Sequence, residues 1–328
     1  MFACKLVWGR SHELTAVERT LQLLGDEGLG ARPRPELLGA VLTHAGQALR
    51  DAVRMGFVHS SRARGRISKA LSRVVDCRFV EHSAGPSGST ILTFAVPVFG
   101  EVAPELFEQT SLWPMGPEPT ENAFDLLAAS IRDVLGAVRD SDRFDVNLLR
   151  RYAGFKTVLT HGLTAIAMPG PEATEPTTID AQLTVAAKEM AQQTPPERRV
   201  RLMGKLDLLR VSKSVAGLQM EDGSLVTIVY SSGDFLDLRD LLSKDVLIEG
   251  QGVFRPNGSL LRVDADAVRK AGAGDSFFAT TPRSEILRDY RREAAAVRHG
   301  HKPYAAIFGT IPADESDEEY AAAIEALR

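Results

Sequence analysis

Residues 198–230 read RRVRLMGKLDLLRVSKSVAGLQMEDGSLVTIVY, and two physical patterns stand in them. Val200, Leu202, Leu206 and Leu208 alternate with Arg199, Arg201, Lys205 and Asp207, the period of a strand with one buried and one polar face. Asp222-Gly223 then divides the runs 215–221 and 224–230, a dipeptide suited to the positive-φ turn of a tight hairpin. Downstream, FLDLRDLLSK (235–244) predicts a short helix. Pro256-Asn257-Gly258 separates two further strands, 246–254 and 259–266. The order is three strands, a short helix, then two strands.

Working outward, the N-terminal half alternates between the two periods. After Pro35, a residue suited to a first helical position, Leu38, Val41, Leu42, Ala45, Leu49 and Val53 predict an amphipathic helix. Residues 75–82 and 89–96 predict two strands around Gly85-Pro86-Ser87-Gly88. A second helix follows Thr120, with Phe124, Leu127, Ile131, Val134, Leu135 and Val138 on one face, and a third covers 144–152. From Pro169 to Glu197 the punctuation PGPEATEPTT and QQTPPER brackets a helix at 180–192 and reads as a linker.

The expected fold class is α+β. An N-terminal helical domain with a small antiparallel sheet (1–168) is followed by a linker (169–197), a five-stranded β-barrel (198–268) and a helical C-terminal segment (269–328). The strand–helix order of 198–268 resembles the OB-fold, whose helix sits between its third and fourth strands. That resemblance implies that Val200, Leu202, Leu206, Ile228, Val246, Ile248 and Val253 line the barrel interior. It also implies that strands two and three, with their adjoining loops, form the binding face.

Composition narrows the function classes. The 39 basic and 43 acidic residues leave a formal net charge of −4, so a nucleic-acid role requires a local basic patch rather than a basic chain. Two cysteines, Cys4 and Cys77, support neither a disulfide framework nor a four-thiolate zinc site. No apolar run reaches the roughly 18 residues of a membrane span, and Lys5 and Arg10 interrupt the opening segment. A cytoplasmic chain with no membrane association is expected.

Motifs that carry chemistry are sparse. Gly272-Ala273-Gly274-Asp275-Ser276-Phe277 resembles the anion-hole signature of ribokinase-like sugar kinases. Arg269-Lys270 replaces the Asp-Thr of the fuller signature, however, and the segment reads as a hinge. Gly-x-Ser-x-Gly is absent, no lysine follows an acid by two residues, and the histidines form no ligand spacing. No catalytic residue, metal site or cofactor is therefore expected, and Cys77 reads as a buried thiol in a strand.

Two basic concentrations remain. Arg62, Arg64, Arg66, Lys69 and Arg73 lie in and beside the run SSRARGRISK, a spacing that can track phosphates. Arg199, Arg201, Lys205, Arg210 and Lys213 follow the first barrel strand and its exit loop. Aromatic rings for stacking are few there: Tyr230, Phe235 and Phe254. The expected function is non-catalytic nucleic-acid binding through these contacts. The alternative is a protein-interaction or regulatory subunit. In it the barrel docks a partner protein together with the acidic tail, whose Tyr320, Ile324 and Leu327 form an apolar stripe.

Overall fold

The computed structural model describes residues 16–25, 30, 32–62, 68–107, 116–169, 176–210, 214–230 and 235–282. Expectations for Arg64, Arg66, Lys213, Tyr320, Ile324 and Leu327 lie outside them. The fold class is α+β.

The first part runs β1 (Ala16–Gly25), α1 (Pro35–Val58), α2 (Lys69–Val74), β2 (Arg78–Ala84), β3 (Thr90–Pro97), α3 (Phe99–Val102), α4 (Ala123–Leu135), α5 (Val146–Leu159), β4 (Leu163–Met168), β5 (Thr177–Asp180) and α6 (Ala181–Gln193). Its strands form one sheet in the order β2-β3-β1-β4-β5, each pairing antiparallel. Pro35 stands at the start of α1, which buries Leu37, Val41, Ala45, Leu49 and Val53 at helical spacing. Each such Leu or Val contributes about 1.5–3 kcal/mol when fully buried. The cap of α4 is Asn122, not Thr120. The Asn122 side chain accepts from the Phe124 N–H, and Asp125 accepts from the Asn122 N–H in return.

Two elements differ from expectation. The middle strand of the sheet, β1, has Leu21 and Leu23 fully buried on alternate positions, but Arg19 interrupts the apolar alternation that would announce it. The stretch read as a linker is also structural. β5 pairs with β4, and α6 buries Leu183, Ala187 and Met190 in the same core as α4 and α5. Proline punctuation marked its two ends, whereas the apolar stripe of α6 between them is covered chiefly by α5 and α4.

The second part runs β6 (Arg198–Arg210), β7 (Val215–Gln219), β8 (Leu225–Val229), α7 (Phe235–Asp240), β9 (Asp245–Phe254) and β10 (Leu260–Lys270). These strands close on themselves in the order β10-β8-β7-β6-β9, because β9 pairs with both β6 and β10. β10 lies parallel to β8, and the other pairings are antiparallel. Val200, Leu202, Leu206, Ile228, Val246 and Ile248 belong to the interior cluster. Val253 does not. Strand alternation turns it outward, where it and Leu261 join the core of the first part. A Cβ at Gly250 would stand 2.3 Å from the Asp264 carbonyl oxygen, so glycine is what lets β9 and β10 approach there.

The seam between the two parts is apolar at Val253 and Leu261 and ionic beside them. Arg262 is 2% exposed; its guanidinium donates to Asp264 at 2.9 Å, to Asp145 at 3.3 Å and to the Ser60 hydroxyl at 3.1 Å. Arg255, on the β9–β10 turn, pairs with Asp142. Removing the cation of a buried pair leaves desolvated carboxylates behind. Arg262→Leu is accordingly expected to cost about 3–5 kcal/mol in urea unfolding. A cost under about 1 kcal/mol, the scale of an exposed pair, would contradict the seam.

Candidate functional site

The end of α1 sets the site's geometry. His59 takes the left-handed conformation (φ 53°) and turns the chain out of the helix. Ser61 then meets the start of α5: its N–H and hydroxyl donate to the Asp145 carboxylate at 3.1 and 2.6 Å. The same carboxylate caps α5 by accepting from the N–H groups of Asn147 and Leu148 at 3.1 and 3.0 Å. The last turns of α1 and the first turns of α5 are thereby held side by side.

Between them opens a cleft of about 460 Å³, lined by Asp51, Arg54, Ser61, Arg62, Asn147, Arg150 and Arg151. Four guanidinium groups share it with one carboxylate. Arg151 donates to Asp51 at 3.1 Å and to the Gln47 side chain at 2.6 Å, and Arg54 reaches Asp51 at 3.8 Å. Arg54 Nε is buried and has no hydrogen-bond partner, an arrangement that costs about 1–3 kcal/mol when nothing else answers it. Burial raises the Asp51 carboxyl above its ordinary range, against the pull of Arg151 and Arg54. Burial likewise lowers Arg54, against the pull of Asp51. The excess positive charge of the cleft suits an anion.

The basic residues singled out in the sequence divide. Arg62 lines the cleft, while Lys69 and Arg73 are exposed on α2, with Arg73 paired to Glu105. On the barrel, Arg199 pairs with Asp266 at 3.8 Å and Arg201 with Glu249 at 3.2 Å. Lys205 is exposed on the same face. Arg210 is 8% exposed and lines a small space together with Phe57, His59, Val215 and Thr227. The outer face of β7 and β8 is itself occupied. Phe57 and His59 close over Val215, Gly217 and Thr227, leaving about 10 Å³, room for no more than one water.

Arg54, Arg150 and Arg151 are the site residues that sequence reasoning missed. Arg54 follows the last apolar residue of the helix predicted after Pro35, and Arg150-Arg151 lie within the helix predicted over 144–152. Only the packing of α1 against α5 aims them at one place. Phe277 was also missed as a ring: it is 86% exposed, edge-on to Phe278, whose face lies 5.7 Å from the Arg201 guanidinium. The glycine-rich segment before it carries no anion hole. Asp275 accepts from Arg269 at 2.8 and 2.9 Å and from the Gly272 N–H at 2.7 Å, which lowers its pKa.

Among the described residues no group of three or more His, Cys, Asp or Glu side chains is placed to hold a metal ion. No described helix is long and apolar enough to cross a membrane. Neither a family model, nor a curated protein, nor a solved structure matches the chain.

Cys77 sits half-buried between α2 and β2, and burial, reinforced by the charge of Asp76, pushes its thiol up to about 12. Its thiolate is scarce at neutral pH, so the residue is a poor nucleophile. Iodoacetamide at about pH 8 is expected to leave the Cys77 peptide of the folded chain unmodified while it alkylates an unfolded control. Equal labelling rates in the two would contradict this.

Proposed function

We propose that this chain binds nucleic acid, holding backbone phosphates in the cleft between α1 and α5. The observation that carries the reading is the convergence of Arg54, Arg62, Arg150 and Arg151 on one concavity with a single carboxylate, Asp51. Guanidinium forks match phosphate oxygens in pairs, and such contacts carry affinity without reading sequence. Arg62 also opens the basic run that continues through Arg64 and Arg66. The barrel edge takes a lesser part, since Arg199, Arg201 and Arg269 are answered there by Asp266, Glu249 and Asp275.

The barrel is read as an OB-type module. In support are the helix between its third and fourth strands and the closure of the fifth strand onto the third. In this reading it acts as scaffold: Phe57 and His59 cover part of the strand face that such modules offer to ligands, around Val215, Gly217 and Thr227, and the phosphate site moves to the neighbouring helices. A cytoplasmic, non-catalytic binder follows from the same reading.

Salt titration of a fluorescent single-stranded oligonucleotide tests this. Each lost phosphate contact flattens the slope of log K against log salt by about 0.7, so Arg62→Ala with Arg150→Ala is expected to weaken binding about twenty-fold at about 0.1 M salt. Arg199→Ala with Arg201→Ala is expected to leave the slope nearly unchanged. The reverse ranking would contradict the assignment.

A second reading draws on Phe277, whose ring stands 86% exposed. An exposed aromatic suits a protein-docking module, with Tyr320, Ile324 and Leu327 of the tail as further anchors. It takes over if the wild-type chain binds no oligonucleotide at low salt.

A further inference from the structure

We infer that the arginine cleft is a receptor for a terminal phosphate, the phosphate monoester or polyphosphate end of a nucleotide or strand, rather than for an internal phosphodiester. The inference rests on the nucleic-acid reading of the same cleft and narrows it to one chemical group.

Charge is the first argument. Four guanidinium groups against the Asp51 carboxylate leave an excess of three positive charges around one concavity. An internal diester brings one negative charge and two free oxygens. A monoester brings about −1.5 to −2 at neutral pH and three acceptor oxygens, and a diphosphate brings more. The excess is matched by the terminal group and only partly by the diester.

Shape is the second. The cleft holds about 460 Å³, within the range of small-ligand pockets, and is a concavity at the meeting of two helix ends. Its lining contains no aromatic ring and no large apolar side chain, so nothing in it reads a base. A phosphate group with little else attached is the ligand that such a lining recognises.

The available donors are the third. The Ser61 hydroxyl and the Ser61 and Asn147 N–H groups are already spent on Asp145. The guanidinium groups remain, and among them Arg54 Nε is buried in the structure without an acceptor. An oxygen placed in the cleft supplies one. Asp51 is the opposing feature: it repels an incoming anion. Its contacts to Arg54 and Arg151 also fix those side chains before the ligand arrives, which reduces the entropy lost on binding.

The test uses the full chain and three versions of one short single-stranded oligonucleotide, with a phosphate at the 5′ end, at the 3′ end, or at neither. Binding is followed by anisotropy, and inorganic pyrophosphate is titrated separately by calorimetry. At least one phosphorylated version is expected to bind about tenfold tighter than the unphosphorylated one, and pyrophosphate to displace it. That preference is expected to shrink in Arg54→Lys, which keeps the charge and removes the fork. It should shrink also in Arg62→Gln with Arg150→Gln, two exposed positions whose replacement leaves the melting temperature unchanged. If all three oligonucleotides bind equally and pyrophosphate gives no heat, the terminal-phosphate inference is overturned and nucleic-acid binding stands. If pyrophosphate binds in the cleft and no oligonucleotide does, the nucleic-acid reading is overturned and the site belongs to a small phosphorylated molecule.

Discussion

Five hydrogen-bond donors converge on the carboxylate of Asp145: the N–H and hydroxyl of Ser61, the N–H groups of Asn147 and Leu148, and Arg262. A carboxylate offers about four lone-pair sites, so this one is saturated, and at 2% exposure it can be so only because its partners are fixed. One residue thus caps α5, anchors the chain leaving α1 and ties both to the barrel through β10. These three tasks belong to elements far apart in sequence. Their meeting at a single buried charge sets the relative placement of the helix ends and the barrel.

The functional consequences descend from that placement. Because α1 ends beside the start of α5, Arg54 and Arg62 from one side face Arg150 and Arg151 from the other. Because the same helix end is drawn against the barrel, Phe57 and His59 cover β7 and β8. The helix end that helps form the cationic cleft thus also lies against part of the outer face of β7 and β8. Basic residues on the barrel are more numerous in sequence than in effect. Arg199, Arg201, Arg255, Arg262 and Arg269 each have a carboxylate within 4 Å, whereas the cleft sets four guanidinium groups against one carboxylate. Local pairing, not the count of arginines, separates a phosphate site from a neutral face.

Much of the secondary structure was legible in the residues. The alternation at Val200, Leu202 and Leu206, the Asp222-Gly223 turn and the helical stripe of α1 all follow from periods that a chain must obey to bury one face. β1 was not legible, because Arg19 interrupts its alternation; α6 was legible as a helix, but its proline-rich flanks read as a linker and not as part of the core. Val253 was placed on the wrong side of its strand, since both sides are apolar there and periodicity cannot say which neighbour covers which face. Arg62 was the one residue named beforehand that reaches the cleft. Asp145 and Arg262, at the start of one predicted helix and within one predicted strand, carried no signal that singled them out. Their role depends on a contact spanning 117 positions, which leaves no local pattern.

The most direct measurement is hydrogen–deuterium exchange of the full chain with and without a short single-stranded oligonucleotide. The account predicts slowed exchange in peptides covering 54–62 and 147–151, with 199–205 and 275–278 unchanged. Protection confined to the barrel peptides, with the cleft peptides exchanging as before, would contradict it.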